Sequence, residues 1–354
     1  MSVGSHPTNE AAARAGVLGD PRLEETITDF FLPDDSRLDE RARLLLGSVL
    51  GSIVGAVEAD VRRHAARLLS GRGADRKADA LLAARTDVLA RLSAAGLLRD
   101  SELMEELLGR VRAELLADAL PVAIDMPDAP SLLVRLTALP DTVVAAAATA
   151  LLVQENRRGN LVEHKHAVGA ELPAELHHRL VWWVAAAIRE GVAADADTDR
   201  AIGEAAQRSL AAHDESERVE AVAVRLAAAI DPLPDEVPVL MVEAIGDRRL
   251  SLFIAVLARA LDIDFDAARA LVIEPRGERL WPALRAVGLD RPSIARIALS
   301  LADADPRRDI EQFADQLDGI AAIAAEAARA ALAPLSLPRS FRSAIRALAR
   351  SAQG

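Results

Sequence analysis

The sequence predicts an all-α protein, a multi-helix bundle whose C-terminal part carries a short, solenoid-like helical repeat. Three observations lead there. Hydrophobic residues make up 51% of the 354 positions but aromatics only 3%, with no Tyr, so Ala, Leu and Val must build the core. Ala and Leu favour helices, whereas sheets draw on aromatic and β-branched residues. Apolar positions recur at three- and four-residue spacing without the alternation of strands, and Pro or Gly punctuates segments of helical length.

The elements follow in order. Residues 1–20 are small and polar and read as a disordered tail. Asp35 or Ser36 can cap a helix to about Val57, and a second runs through Arg62, His64 and Leu68 to a break at Gly71 and Gly73. One helix is predicted over about 75–94, stopped by Gly96, a residue suited to the left-handed position past a helix end. Asp100 or Ser101 caps the helix of Leu103, Leu107 and Val111. The prolines of ALPVAIDMPDAP (119–130) break what precedes them. Helices at about 131–138 and 141–155 come next, the latter opened by Pro140 and Asp141. Pro173 opens a helix to about Glu190. The pattern resumes over 199–230, with a break near Asp214, and DPLPDEVP (231–238) reads as a linker. These breaks divide the chain into an N-terminal helical domain over 21–160, a helical hairpin and dimerisation region over 161–232, and a C-terminal helical domain over 233–354. Within the last, RALDID (259–264) and RAVGLD (285–290) each end one helix and place an Asp before the next, which is the basis for the repeat.

Composition narrows the function. A formal net charge of −12 argues against a nucleic-acid partner. Without Cys there is no disulfide frame and no thiolate metal site. The first residues lack the pattern of a secretory signal. The longest apolar run, near Val143 to Val153, is too short for a bilayer-spanning helix. The expectation is a cytoplasmic protein without membrane insertion.

No P-loop, Rossmann glycine pattern or nucleophile elbow is present. DIDFD (262–266) and DADTD (195–199) begin like calcium loops but lack the glycine, and DIDFD also lacks the later glutamate, so both read as helix starts. Gly47, Gly51 and Gly55 recur every fourth residue and read as a helix-packing seam, since interior glycines disfavour a helix unless closeness requires them. The row Arg339, Arg342, Arg346, Arg350 reads as a solvated basic face at a helix C-terminus.

Four of the seven histidines lie between His164 and His178. Neither EHKH nor ELHHR has the i, i+4 spacing that puts two imidazoles on one helix face, so a metal-dependent enzyme built on this cluster ranks third and no cofactor is expected. In ELPAELHHRLVWWVAAAIRE (171–190), Leu176, Leu180, Trp183, Val184 and Ala187 form one apolar face. His178, Val181, Trp182, Ala185 and Arg189 form a second, mixed one, and a helix apolar on both sides suits an interface. Trp182, Val181, Ala185 and Arg189 are therefore the predicted interface residues, with a homodimer formed by two such hairpins.

Glu175, His177, His178 and Arg179 resemble the phospho-acceptor box of one histidine-kinase class, in which an acid precedes His-His-Arg. The resemblance implies His178 as acceptor. It departs at Trp182, where that class carries Asn, and nothing downstream reads as an ATP-binding domain, so it implies a phosphotransfer helix without kinase activity. More broadly, FFLPDDSRLDERARLLLGSVL (30–50), AAGLLRDSELMEELL (94–108) and GERLWPALRAVGLDRPSIARIAL (277–299) resemble an uncharacterised alphaproteobacterial helical family, domain-of-unknown-function family 2336. That resemblance implies helical structure and no particular activity. The functional expectation is a non-enzymatic interaction or regulatory protein with a protein partner, and the alternative is a histidine phosphotransfer-like adaptor in two-component signalling.

Overall fold

The structure, a computed structural model, describes residues 38–122, 130–163, 172–193 and 195–351. The tail expected over 1–20 lies outside them. The chain divides into two compact units, Met1–Arg43 and Leu44–Gly354. Of the first, Asp39 Oδ1 accepts the Ala42 N–H at 2.6 Å and so caps the opening turn of a helix. Among the described residues there are 17 α-helices and no strand.

The helices are α1 (Glu40–Gly71), α2 (Asp75–Ala83), α3 (Val88–Ala94), α4 (Ser101–Ala119), α5 (Leu132–Thr137), α6 (Thr142–Glu163), α7 (Ala174–Glu190), α8 (Ala196–Ala212) and α9 (Val219–Ile230). They continue as α10 (Val237–Gly246), α11 (Leu250–Leu261), α12 (Phe265–Val272), α13 (Leu280–Ala286), α14 (Arg291–Ala304), α15 (Ile310–Ala322), α16 (Ala325–Leu332) and α17 (Arg339–Ser351). Short aspartates start many of them. Asp87, Asp100, Asp195, Asp264, Asp290 and Asp309 each accept a backbone N–H three residues on, satisfying a donor that the first turn leaves orphaned.

Two sequence expectations are corrected here. The two helices expected on either side of Val57 are one continuous α1, because nothing between Val57 and Arg62 breaks the backbone. The single helix expected over 75–94 is instead α2 and α3. Arg62 Nη1 donates to the carbonyls of Leu81 (2.8 Å) and Ala84 (3.1 Å), closing α2, and Asp87 caps α3 afresh.

The related segments near 260 and 286 share one local geometry. Asp262 (φ 55°) and Gly288 (φ 90°) take the left-handed conformation in register. Behind them Ile263 N–H donates to Ala258 O and Leu289 N–H to Leu284 O, a six-to-one closure. Asp264 and Asp290 then cap the next helix. The resemblance between the two stretches is thus a repeated way of ending one helix and starting another.

A hydrophobic core cluster draws on residues from Leu116 to Leu151 and from Val219 to Leu332, with Phe253 fully buried in it. Within it α6 and α11 flank α9, and α10 bridges α11 to α14. Residue 160, a boundary drawn from sequence, lies inside α6. The hairpin of α7 and α8 packs instead against itself and against α3.

An ionic centre joins these helices. Glu106 on α4 is 0% exposed, and its carboxylate accepts from Arg218 at 2.5 Å and Arg269 at 2.8 Å. Gly109, one turn on, leaves the room this needs, since a Cβ there would lie 3.1 Å from Arg269 Nε. Arg269 also meets Asp266 at 3.0 Å, and burial pushes the Asp266 carboxyl above the usual carboxylate range against the pull of Arg269.

Among the described residues the glycine seam on α1 makes no close contact: a Cβ on Gly47 or Gly55 would meet nothing within 4 Å, and one on Gly51 would touch Leu89 at an ordinary 3.7 Å. Gly47 and Gly55 are exposed and Gly51 half-buried, while Ile53, Val54, Val57 and Val61 are buried. Gly47→Ala and Gly55→Ala should therefore each stabilise the protein by about 0.5–1 kcal/mol, the helix-propensity difference, as a raised thermal midpoint. An unchanged or lower midpoint would show that this face is covered. The same helix corrects the reading of apolar length. By length and composition α1 is long and apolar enough to cross a membrane, which the Gly and Ser interruptions had disguised.

Candidate functional site

Helix α7 carries most of the predicted residues. Pro173 precedes its first turn, where a missing N–H is harmless, and Gly191 ends it. Leu176, Leu180, Val184, Ala187 and Ile188 are buried against α8 and α3. Val181 and Ala185 are buried as well. This corrects their assignment to an outer interface: both are committed to the core of their own chain, whose packing wraps further round α7 than a single apolar face requires. What remains outside is a narrow stripe, Glu175, His178, Trp182, Ala186 and Arg189, at helical spacing.

The three residues His177, His178 and Arg179 point to three different environments. His178 is exposed, and the Trp182 indole N–H donates to its Nε2 at 3.3 Å with the rings edge to face, centroids 6.3 Å apart. An indole can only donate, so this contact keeps Nε2 as an acceptor and places the proton of the neutral ring on Nδ1. Trp182 itself is 37% exposed.

His177 turns inward. Its ring stacks on His213 at a centroid distance of 3.9 Å and 8° between planes. His213, just past α8, bonds through Nε2 to the Leu172 carbonyl at 3.0 Å. The His177 Nε2 is buried without a hydrogen-bond partner. Burial above all, then the facing His213, lowers the His177 pKa to about 4, against the opposing pull of Asp60 on α1 and a backbone hydrogen bond at Ser209. Asp60 is itself shared with His64, whose Nδ1 lies 3.1 Å from its carboxylate.

Arg179 reaches across to the start of α4, donating to Asp100 at 2.8 Å and Glu102 at 2.5 Å. Arg189 meets Asp199 of α8 at 3.1 Å. Arg91 of α3 holds Glu190, and Lys77 of α2 holds Asp195 and Asp197, so the hairpin is bordered by ion pairs. Water screens such exposed pairs, so together they fix orientation more than stability.

His164 and His166 lie outside the described residues. Among the described residues no group of three or more His, Cys, Asp or Glu is arranged to hold a metal ion. A cavity of about 340 Å³ lies apart from α7, lined by Arg110, Glu155, Glu220, Arg249 and Phe265, with Glu155 accepting from Arg249 at 2.8 Å. The partners of His177 were not visible in the sequence. No spacing rule connects residue 177 to 213 or to 60, and an inward His looks in sequence like an outward one.

One comparison finds a relationship. The family model of an uncharacterised protein conserved in bacteria, DUF2336, matches residues 157–333, from within α6 to the end of α16 and so across α7 and most of the hydrophobic core. No curated protein and no solved structure matches the chain.

Proposed function

The chain belongs to this uncharacterised bacterial family, and from that premise we propose that it is a non-enzymatic, cytoplasmic interaction protein that pairs with a second copy through the outer stripe of α7. The observation that carries the reading is Trp182. A large aromatic side chain stands at the centre of a solvent-facing stripe, with its indole N–H on His178, on a helix whose Leu, Val and Ile side chains are buried. Aromatic anchors of this kind dominate interface energetics. Two α7–α8 hairpins related by a two-fold axis would bring the Trp182 side chains together as a four-helix arrangement. Light scattering should report a dimer. Trp182→Asp should give a monomer with unchanged helicity, because its position is outside the chain's own core. A wild-type monomer at high micromolar concentration overturns the pairing.

A second reading rests on the contrast between the two histidines. His178 is exposed with an acceptor at Nε2, whereas His177 is stacked and inward. That is the arrangement a phosphotransfer helix needs. Nε2 would attack the aspartyl phosphate of a receiver domain, forming a P–N bond as the acyl P–O bond breaks and the receiver carboxylate leaves. Incubation with phosphorylated receivers should label wild type and spare His178→Ala. Labelling of neither removes this reading and leaves the interaction protein.

A further inference from the structure

The last described helix turns its amphipathic character the wrong way round for a helix that closes a protein surface. Spacing places Arg339, Arg342, Arg346 and Arg350 on one face of α17 and Phe341, Ile345 and Leu348 on another. Soluble proteins bury the second kind of face and leave the first in water. Here Arg339 and Arg342 are directed at the body of the protein. Arg339 donates to Asp266 at 3.0 Å and lies 3.5 Å from Glu105, and Arg342 pairs with Asp264 and donates to the Leu335 carbonyl at 3.1 Å. Phe341, Ile345 and Leu348 are 54%, 45% and 71% exposed. Between α17 and the body is a cavity of about 500 Å³ bordered by Leu108, Ala270, Ile273 and Leu337 and, from α17 itself, by Ile345, so Ile345 sits at the edge of the joint while Phe341 and Leu348 carry the exposed face.

Charge says what the exposed face fits. The chain has a net charge of −12, yet residues 336–354 hold four arginines and no acid. A basic local patch on an acidic protein, beside an apolar stripe, matches an anionic bilayer, whose headgroups take the arginines while its acyl boundary takes Phe and Leu. At 13 residues α17 is far too short to span a membrane and suits lying along its surface.

We propose that α17 is a contact for anionic membrane surfaces, in which Phe341 and Leu348 enter the headgroup boundary and the arginines pair with lipid phosphate, while Asp264, Asp266 and Glu105 compete for Arg339 and Arg342 as a latch. The association is peripheral and independent of the pairing assigned to α7.

The test is co-sedimentation of the full chain with vesicles. The protein should pellet with mixed phosphatidylglycerol and phosphatidylcholine vesicles and not with phosphatidylcholine alone, and salt should weaken the binding. Phe341→Glu with Leu348→Glu should lower binding by about tenfold or more, as should Arg346→Gln with Arg350→Gln. Asp264→Asn with Asp266→Asn should raise it, since Asn at 264 keeps the cap of α12 and removes only the charge. Circular dichroism confirms that each variant is folded. The proposal is overturned if neither wild type nor the Asn variant pellets with anionic vesicles, or if neutral and anionic vesicles bind equally. A dimer that Phe341→Glu dissociates in the absence of lipid would assign the face to a second copy and overturn it as well.

Discussion

Glu106→Ala is expected to destabilise the protein by about 3–5 kcal/mol, the largest effect of any single substitution considered for this chain. The reason is what the change leaves behind. Glu106 is completely buried, and its two oxygens each take one guanidinium, from Arg218 and Arg269. Both arginines are themselves nearly enclosed, with side-chain exposures of 12% and 6%. Removing the carboxylate leaves two cations in a poorly solvated interior with half their compensation gone, Arg269 keeping Asp266 at 3.0 Å and Arg218 only Glu220 at 3.6 Å. Glu106→Gln should fall between wild type and alanine, because the amide keeps one acceptor but no charge. Urea unfolding followed by circular dichroism measures both. A loss below about 1 kcal/mol for the alanine variant would mean that the arginines reach solvent after all.

The second large effect is a dependence on acid. The folded value for His177 is about 4, below its ordinary 6.5, so the unfolded chain binds the proton more readily than the native one. The associated stability is then fully present above pH 6.5 and is lost as pH falls from there toward 4. The whole displacement corresponds to at most about 3 kcal/mol, and partial contact with water brings it to about 1–2 kcal/mol. Protonation would set two cations face to face wherever His213 is also charged, with Asp60 and Asp214 to offset them, and would separate the ends of α7 and α8. Unfolding free energy should therefore decline between pH 7 and pH 4.5, and His177→Gln should flatten the decline. An equal slope in wild type and variant would place the acid sensitivity elsewhere.

Much of the fold was legible because its helices start and stop through local chemistry. Asp100, Asp195, Asp264 and Asp290 signal a helix start by being short acceptors ahead of an apolar period, and each caps as that chemistry requires. Gly96 takes the left-handed φ of 74° that its place past α3 suggested. The split of α2 from α3 was hidden because Arg62, two helices' breadth away in sequence, supplies the closing donors. The site was half legible. Periodicity correctly separates Trp182 from the Leu176 and Leu180 face, yet it cannot show that packing extends round to Val181 and Ala185. Nor does it reveal which of two adjacent histidines faces inward. That depends on His213, which reaches His177 only once α8 has folded back.

The ionic centre also dictates an order of events during synthesis. Glu106 emerges from the ribosome 112 residues ahead of Arg218 and 163 ahead of Arg269. Until both have followed, a nascent chain cannot bury that carboxylate without leaving it uncompensated, so α4 must wait in solvent with Leu103, Leu107 and Val111 uncovered. Contacts of such separation slow folding and prolong the exposure of sticky surface. Completion of the fold is thus tied to the arrival of α12, and the interval before it is when the growing polypeptide most needs a chaperone.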